Sequence, residues 1–358
     1  MRIDFIISAL RGGGAERVLI ALSEHFVKKG HEISIITYNR VEDQYNLDPQ
    51  IERLHLNKKL FPVIKVSNLL NLLFHYRKNE HRPDVIISFL SLNNLISILI
   101  GRLYGIPVIV SEHHNHRHVE NPKWLTRLTW KYIYRKAKYV TVLTHNDVSF
   151  FENYKCNVVV MPNPCSFEVI PNLNSAREKT IMAIGKLNRY HHKGFDNLIK
   201  LIAPVLKQNQ DWQLKIVGDG NEGLHYLSGL ASQFKISKQI DFTGFRNDVR
   251  ELLSKSSIFV LPSRYEGLPM VLLEAMSQGA TCIAYDCFTG PAEIIEDNVN
   301  GLLIADQDQN AMQEGLKKLI ENNDLRQELA QNGLRSLDKY SIDNIYQRWS
   351  KLFNSIQE

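Results

Sequence analysis

Short apolar runs alternate along the chain with longer segments in which apolar residues recur every three or four positions. The first pattern is typical of buried parallel strands, and the second of helices that cover a sheet. Because the two patterns alternate along the whole chain, the sequence predicts an α/β fold with doubly wound sheets. The predicted strands are 3–8, 32–37, 84–89, 106–111, 139–144, 158–160, 180–185, 214–217, 240–245 and 258–261.

The length of 358 residues suits two domains. A polar, turn-rich stretch at 166–179 interrupts the alternation and is typical of an interdomain linker. We therefore predict an N-terminal domain at 1–165 and a C-terminal domain at 180–340. Residues 341–358 have apolar residues at helical spacing and are predicted to form a terminal helix.

The composition is that of an ordinary globular protein, with 44% hydrophobic and 23% charged residues. No apolar run reaches the roughly 18 residues that a membrane-spanning helix needs, and the N-terminus does not resemble a signal peptide. The cysteines form no C-x-x-C pair, which suits a reducing compartment. These features favour a cytoplasmic protein. The four cysteines are Cys156, Cys165, Cys282 and Cys287.

The net charge of +5 is unevenly distributed, because the basic surplus lies in residues 1–165. An anionic partner is therefore expected there, either a phospholipid surface, a lipid-linked diphosphate or nucleic acid. Residues 123–138 carry six cationic side chains and no acidic one. This predicts an amphipathic helix on an anionic membrane surface, with a solvated helix packed on the sheet as the alternative. No nucleic-acid-binding module is recognised, so nucleic acid is not expected as a partner. The aromatic residues of this helix are Trp124, Trp130, Tyr132 and Tyr134.

A glycine-rich turn follows the first predicted strand. Gly12, Gly13 and Gly14 precede a helix that begins near Ala15, at the strand end where open α/β sheets bind ligands. The G-x-G-x-x-G pattern of dinucleotide sites is incomplete, because Arg17 occupies the third glycine position. We interpret the turn as a loop that lets backbone approach a sugar or a phosphate. A tight turn without a ligand is the alternative.

Two further motifs suggest metal binding at first sight. Four histidines lie within residues 113–118, and Asp306 and Asp308 have D-x-D spacing. Metal ligands must converge from a fixed scaffold, and no cysteine or distant acidic motif supports a site at the histidines. The D-x-D pair follows an apolar run in a surface-like loop and is interpreted as structural. We therefore predict no bound metal.

Residues 259–279 combine a buried strand, a loop and a helix. Glu266 lies in the loop and Glu274 lies in the helix among apolar neighbours, where an unpaired carboxylate would be costly. Pro269 suits the first helical position. Taken singly, Glu266 could interact with the helix dipole and Glu274 could face solvent.

The two glutamates have the spacing E-x7-E, with Gly-Leu-Pro directly after the first. This resembles the motif of retaining glycosyltransferases of the GT-B fold, in particular the large family 4. The glycine turn continued to residue 18 (GGAERV) is also common in that family, and the resemblance spans nearly the whole chain. It implies two doubly wound, Rossmann-like domains facing across a cleft, with the terminal helix packing back on the N-terminal domain.

The resemblance implies roles for the two glutamates and one histidine. Glu266 is expected to face the donor sugar, and Glu274 to bind the ribose of the nucleotide. His113 is expected to face the sugar from the end of its strand, with His114 and His116 as alternatives.

Positive charge for the donor diphosphate is expected from residues 185–195, which resemble the family's G-R-L…K-G-F segment. Lys193 matches the family's lysine. The arginine position holds Lys186 and the following loop is longer than usual, so the second cation is Lys186 or Arg189. The two are not equivalent, because only arginine offers a bidentate fork to phosphate.

Backbone groups are expected to complete the donor site. The loops after strands 214–217 and 240–245 would flank the nucleotide base, and the glycine turn and a helix N-terminus would bind the diphosphate. The residues assigned in this way are Gly13, Gly14, Gly218, Phe245, Arg246, Gly267, Leu268 and Pro269.

The resemblance thus implies a retaining, metal-independent glycosyltransferase without a cofactor. The expected donor is a nucleotide-diphosphate sugar, in particular a UDP-sugar carrying a hexose or N-acetylhexosamine. The expected acceptor is a lipid-linked or polysaccharide intermediate of bacterial O-antigen, capsule or lipopolysaccharide synthesis, met at the inner face of the cytoplasmic membrane. The alternatives are a UDP-sugar epimerase on the same fold, a nonenzymatic sugar-nucleotide binder and a histidine-cluster metalloprotein.

Overall fold

The computed structural model describes residues 1–11, 13–39, 46–113, 123–173 and 177–357. Gly12, His114 and His116 lie outside the described residues, so their predicted roles stay predictions. The chain divides into two compact units, Met1–Pro164 with Tyr340–Glu358, and Cys165–Lys339. Each unit is built on one parallel sheet. The predicted α/β architecture with two doubly wound sheets is confirmed.

The N-terminal unit contains seven parallel strands. They are β1 (Arg2–Ile6), β2 (Glu32–Thr37), β3 (Glu52–His55), β4 (Val85–Phe89), β5 (Val108–Ser111), β6 (Tyr139–Val142) and β7 (Val158–Val160). Their order is β3-β2-β1-β4-β5-β6-β7, so the direction of winding reverses between β1 and β4. Ligands bind in such sheets outside the carboxyl ends of the strands at this point. The sequence does not predict β3, because this edge strand has no apolar run.

Helices cover both faces of the N-terminal sheet. They are α1 (Gly14–Lys28), α2 (Ile64–Tyr76), α3 (Ser91–Tyr104), α4 (Lys123–Leu128) and α5 (Val148–Glu152). Successive strand residues point to opposite faces. Phe5 contacts Phe26 of α1, whereas Ile6 joins an apolar cluster with α2, α3, α5 and residues 129–136. Those last four elements therefore share one face of the sheet.

The basic segment 123–138 is not the single helix that the sequence predicts. After α4 the chain forms a π-helical turn at Thr129–Ile133 and a 3-10 turn at Tyr134–Lys136. Trp130 and Tyr134 are buried in the core, and both rings pack on Phe151. The wider π-helical turn and the tighter 3-10 turn allow these two large rings to reach the sheet. Of the four aromatic residues in the segment, Trp124 and Tyr132 are therefore the two that lie on the surface.

The C-terminal unit contains six parallel strands. They are β8 (Glu178–Ile184), β9 (Gln213–Val217), β10 (Ile240–Gly244), β11 (Ser256–Leu261), β12 (Thr281–Asp286) and β13 (Leu302–Ala305), in the order β10-β9-β8-β11-β12-β13. Its helices are α6 (Tyr190–Lys193), α7 (Phe195–Gln208), α8 (Asn221–Gln233), α9 (Val249–Lys255), α10 (Met270–Ser277), α11 (Pro291–Ile294), α12 (Gln309–Glu321) and α13 (Asn323–Ser336).

The last helix, α14 (Ile342–Gln357), belongs to the N-terminal unit and packs on α1. Phe26 lies edge-on to Phe353 with ring centroids 5.5 Å apart, and Lys29 Nζ lies 2.8 Å from Asp343 Oδ1. Apolar burial holds the helix, and the ion pair fixes its first turn. Within the described part of the chain, no helix is long and apolar enough to cross a membrane.

Candidate functional site

The carboxyl ends of β8 and β11 bring together two of the predicted donor-site residues. β8 lies between β9 and β11, so the winding of the C-terminal sheet reverses between β8 and β11. Lys193 ends α6, the short helix that follows β8, and Glu266 lies in the loop after β11. Both residues therefore occupy the sheet edge at which doubly wound domains bind ligands.

Lys193 and Glu266 form a hydrogen-bonded ion pair with little exposure. Lys193 Nζ and Ser263 Oγ each donate to Glu266 Oε1 over 2.7 Å, and the lysine and glutamate side chains are 19% and 11% exposed. Burial alone would raise the pKa of Glu266, but the charge of Lys193 and the two hydrogen bonds outweigh it and leave this pKa below its usual value. Glu266 is thus a carboxylate at neutral pH, held against an ammonium group.

A second ion pair joins the two segments that carry Lys193 and Glu266. Arg264 Nη1 and Nη2 donate to Asp196 Oδ1 and Oδ2 over 2.8 and 3.2 Å, and both side chains are largely buried. Burial raises the pKa of Asp196, but the hydrogen bonds and charge of Arg264 outweigh it, so this pKa is lowered. The sequence analysis missed this pair, which links the loop after β11 to the first turn of α7.

Two glycines allow the site segments to approach each other closely. Gly194 has a φ of +70°, and a Cβ there would lie 1.8 Å from the Pro262 carbonyl oxygen. Gly290 has a φ of +94°, and its Cβ would lie 1.7 Å from the Gly267 carbonyl oxygen. No larger residue fits either contact, so glycine at both positions sets the backbone geometry around Glu266.

The other predicted cations lie in the turn between β8 and α6. Lys186 precedes a 3-10 turn at Leu187–Arg189, and the side chains of Lys186 and Arg189 are both exposed. Lys193 differs from them because the aliphatic part of its side chain packs against Gly185. A Cβ at Gly185 would lie 3.1 Å from Lys193 Cγ. Lys193 is therefore the most strongly positioned of the three cations.

Glu274 lies within α10 with only 2% of its surface exposed. Ser166 Oγ donates to its Oε1 over 2.5 Å, so the interpretation of Glu274 as a solvent-facing residue is wrong. The helix begins at Met270, one residue later than predicted, because Pro269 has the extended ψ of 100° that is typical of an N-cap. Gly267 and Leu268 precede this cap, and the Leu268 side chain is buried.

The loops after β9 and β10 contain the remaining C-terminal candidates. Gly218 follows β9, and a Cβ there would lie 1.9 Å from the carbonyl oxygen of Gly185, which follows β8. Glycine at 218 therefore allows the two loops to approach closely. The Phe245 side chain is 73% exposed, as a stacking surface requires. The guanidinium of Arg246 donates to Asp248 Oδ1 and Oδ2 over 2.8 and 2.5 Å, so this side chain has a local partner.

The glycine turn of the N-terminal unit is closed by a residue that the sequence analysis did not single out. Gly13 N donates to Glu16 Oε2 over 3.0 Å, and Arg11 N donates to the same oxygen. An acidic side chain that reaches back from the first helical turn is half of a capping box, and this spacing could have revealed it. Gly14 is the first residue of α1, and a Cβ there would meet no atom within 4 Å.

His113 follows β5 at the carboxyl edge of the N-terminal sheet. Its ring stacks on Phe89, with centroids 4.9 Å apart, and its Nε2 lies 3.1 Å from Ser111 Oγ. The preceding residue, Glu112, is buried and accepts hydrogen bonds from Asn94 and Tyr134. Burial and then the Glu112 charge raise the pKa of Tyr134 well above its usual value. Glu112, also missed from sequence, anchors the backbone that presents His113.

The acidic motif at 306–308 has a structural role in the described residues. Asp308 caps α12, because its Oδ1 accepts a hydrogen bond from Ala311 N over 3.0 Å. In the same described ranges, no three His, Cys, Asp or Glu side chains are grouped as a metal site would need.

Comparison with known proteins identifies both halves of the chain. The family model described as Glycosyltransferase Family 4 matches residues 12–168, and the one described as Glycosyl transferases group 1 matches residues 168–336. One relative is the Campylobacter jejuni GalNAc-alpha-(1->4)-GalNAc-alpha-(1->3)-diNAcBac-PP-undecaprenol alpha-1,4-N-acetyl-D-galactosaminyltransferase. It is 30% identical over 100% of this chain and 99% of its own length.

Two solved structures show the same fold at lower identity. TarM has a TM-score of 0.83 at 16% identity, over 99% of this chain and 98% of its own. The Anabaena protein HepE in complex with UDP has a TM-score of 0.77 at 16% identity, over 99% of this chain and 100% of its own. At such identities the likeness concerns the fold, which is that of two doubly wound α/β units.

Proposed function

The chain belongs to the family 4 glycosyltransferases of the GT-B fold, and on this basis we propose a retaining, metal-independent transfer of a sugar from a UDP-sugar donor. The transferred sugar is a hexose or an N-acetylhexosamine. The acceptor is a lipid-linked or polysaccharide intermediate of a bacterial surface glycan. The undecaprenol-linked substrate in the name of the Campylobacter relative supports the acceptor class, and the UDP complex of HepE supports the donor class.

The observation that carries this proposal is the Lys193–Glu266 ion pair at the carboxyl edge of the C-terminal sheet. Departure of a nucleoside diphosphate needs positive charge at the phosphates, and the sugar left behind acquires oxocarbenium character. A fixed ammonium and a fixed carboxylate match these two developing charges. Glu266 therefore faces the sugar, and Lys193 shifts its contact toward the leaving diphosphate when the donor binds.

The remaining residues of the donor site bind rather than react. Glu274, held by Ser166, accepts hydrogen bonds from the ribose. Phe245 offers its exposed ring to the base, and the N–H groups before α10 contact the diphosphate. Lys186 or Arg189 supplies the second cation, and the charge that these cations contribute is the basis for proposing a reaction without a metal.

Retention follows from where the acceptor attacks. A double displacement would require a second carboxylate on the opposite side of the sugar from the leaving group. The sequence analysis finds no obvious candidate, and we propose departure and attack on the same face. His113 and Glu266 then orient the sugar while the leaving diphosphate accepts the acceptor's proton.

The acceptor class implies a membrane location. We propose that the basic segment 123–138 contacts an anionic membrane surface at the inner face of the cytoplasmic membrane. Its six cations are exposed, together with Trp124, Leu128 and Tyr132. Those three apolar residues recur every four positions and form one row, which supports an interfacial contact.

The test is nucleotide release from a panel of UDP-, GDP- and ADP-sugars with EDTA and membrane lipid extract present. Wild type is compared with Glu266→Gln, and Glu296→Gln at an exposed position serves as the matched control. We expect acceptor-dependent release of UDP from one donor, lost in Glu266→Gln and kept in the control. Interconversion of the donor sugar without an acceptor would indicate an epimerase, and no release from any donor would overturn the proposal.

A further inference from the structure

Residues 58–65, which we call the tip, run from the connection after β3 into the first turn of α2 and expose four large apolar side chains. The exposed fractions are 42% for Leu60, 48% for Phe61, 51% for Val63 and 70% for Ile64. Burying such side chains is favourable by about 1.5–3 kcal/mol each, so a run of four in water is a substantial cost. Contiguous exposed apolar surface of this kind marks an interaction site.

The backbone of the tip is fixed by buried polar side chains of α2. Ser67 Oγ accepts from Phe61 N over 2.8 Å and donates to Phe61 O over 3.0 Å. Asn71 Nδ2 donates to Leu56 O and Lys58 O over 3.2 and 2.8 Å. These bonds satisfy backbone groups that would be costly to place in an apolar medium. The tip therefore has a backbone fixed by hydrogen bonds, and this backbone holds the apolar side chains in their exposed positions.

The charges around the tip match an anionic surface. Lys58, Lys59 and Lys65 flank the apolar residues and are exposed. Residues 56–79, 91–104 and 123–138, which include all of α2, α3 and α4, contain no Asp or Glu. Lysine stems can lie along apolar side chains while their ammonium groups reach lipid phosphates.

The tip and segment 123–138 lie on the same side of the N-terminal sheet. The tip follows β3 and leads into α2, whose buried side chains share one apolar cluster with α3 and residues 129–136. In the chain the tip comes after β3 and segment 123–138 comes after β5, and these two parallel strands end at the same edge of the sheet. With four strand spacings of about 4.8 Å between β3 and β5, the two ends are about 19 Å apart. The helices α2 and α3 add exposed apolar side chains near their carboxyl ends, where Phe74 and Leu103 are 54% and 63% exposed.

We propose that the tip inserts into the headgroup and acyl boundary of an anionic bilayer leaflet, and that the outer sides of α2 and α3 extend this contact to segment 123–138. The inference deepens the proposed function, since a lipid-linked acceptor is met at such a surface. A second copy of the chain is a poor occupant, because pairing this face with itself would oppose cations to cations.

Vesicle sedimentation without donor or acceptor tests the proposal. Wild type is mixed with phosphatidylglycerol-containing vesicles and with pure phosphatidylcholine vesicles. The variant Phe61→Ser/Ile64→Ser is compared with the control Leu224→Ser/Val299→Ser, which changes side chains of 39% and 43% exposure in the C-terminal unit. We expect wild type and control to bind the anionic vesicles, and the tip variant to bind at least tenfold more weakly.

Tryptophan fluorescence locates the contact directly. Trp130, Trp212 and Trp349 are at most 3% exposed, so Trp124 at 65% is the indole that a membrane can reach. In a Trp124→Phe background, Phe61→Trp should shift its emission to the blue on anionic vesicles and be quenched by brominated lipid. Absence of both effects while the protein sediments with vesicles would overturn the inference.

The outcomes separate this inference from the proposed function. Equal vesicle binding by the tip variant and its control, or no binding by wild type, would overturn the inference whatever the enzyme does with a donor. Self-association of wild type that is lost in the tip variant, with no binding to vesicles, would also overturn the inference. It would favour a second copy of the chain as the occupant of the tip. Vesicle binding through the tip with no nucleotide release from any donor would sustain the inference and reject the proposed function.

Discussion

At the scale of single residues, the proposed chemistry depends on charges that the fold holds in place. Lys193 and Glu266 share one short hydrogen bond, and Ser263 fixes the same carboxylate oxygen. The sequence predicted both residues from the E-x7-E spacing and the K-G-F segment, but not that they pair in the structure.

Lys193→Gln should lower kcat/KM for the donor by about 10²–10³, which is typical of losing one electrostatic contact to a developing charge. It should also move the acid limb of the pH profile upward. In the wild type Lys193 keeps the pKa of Glu266 low, so Glu266 stays ionised well below neutral pH. Without Lys193, burial raises that pKa and activity falls at a higher pH.

The measurement is kcat/KM between pH 4.5 and 8 for both proteins. Lys179→Gln is the matched control, because Lys179 forms an exposed ion pair with Asp211 in the same unit. An acid limb at the same pH in Lys193→Gln and wild type would show that Lys193 does not set the ionisation of Glu266.

Asp4, in the middle of β1, is a carboxyl group for which burial outweighs both the hydrogen bond from Tyr76 and the charge of Arg2. Burial raises the pKa of Asp4 to about 6, although Tyr76 donates to its Oδ2 over 2.6 Å. Because the folded pKa lies above the unfolded value, folding favours the protonated form, and this contribution is lost as pH rises from about 4 to about 6. Asp4→Asn should therefore gain stability relative to wild type by roughly 2–3 kcal/mol between pH 4 and pH 7.5.

Urea unfolding at both pH values measures this difference. Asp241→Asn, at an exposed position of β10, is the control and should show little pH-dependent change relative to wild type. A stability difference for Asp4→Asn that is the same at both pH values would contradict the raised pKa.

At the scale of elements, two short segments from separate βα connections meet to form the site. The Arg264–Asp196 pair joins them across 68 positions, and the close approach at Gly194 allows it. Periodicity cannot reveal such a pairing, because it reports burial within one element and not contacts between distant ones. The same limit explains why the break in segment 123–138 was missed, since large core rings decided it.

Breaking the Arg264–Asp196 pair should destabilise the C-terminal unit by about 3 kcal/mol, because either partner alone leaves a buried charge. Asp196→Asn in thermal or urea unfolding at pH 7 measures this cost. Asp248→Asn removes the exposed partner of Arg246 and should change stability much less than Asp196→Asn does. Equal small effects of the two changes would show that the Asp196 pair does not brace the site.

Gly194→Ala should cost several kcal/mol and abolish transfer, because its Cβ would collide with the Pro262 carbonyl oxygen. Gly244 is the matched control in the same unit. Its φ of +69° is almost the same, but a Cβ there meets no atom within 4 Å, so Gly244→Ala should cost only about 1 kcal/mol of backbone strain. Comparable losses of stability in the two variants would mean that strain, and not the close approach, makes glycine necessary at 194.

At the scale of the whole molecule, the alternation of apolar runs and helical segments was sufficient to predict two doubly wound α/β units. The edge strand β3 escaped because it is half exposed and carries charged residues. Exposure itself was the property that sequence judged least well. Phe74 and the tip residues Leu60, Phe61, Val63 and Ile64 are apolar and yet 42% to 70% exposed. In sequence, apolar residues that stay exposed look the same as those that are buried in a core.

The anomeric configuration of the first product tests most directly whether the transfer is retaining and depends on Glu266. Proton NMR measures this configuration as the product forms, with the donor found in the panel and with EDTA present. We expect the transferred sugar to keep the configuration it had in the UDP-sugar, and Glu266→Gln to form little of this product. A product of inverted configuration, or one formed equally fast by Glu266→Gln, would contradict a retaining transfer centred on Glu266.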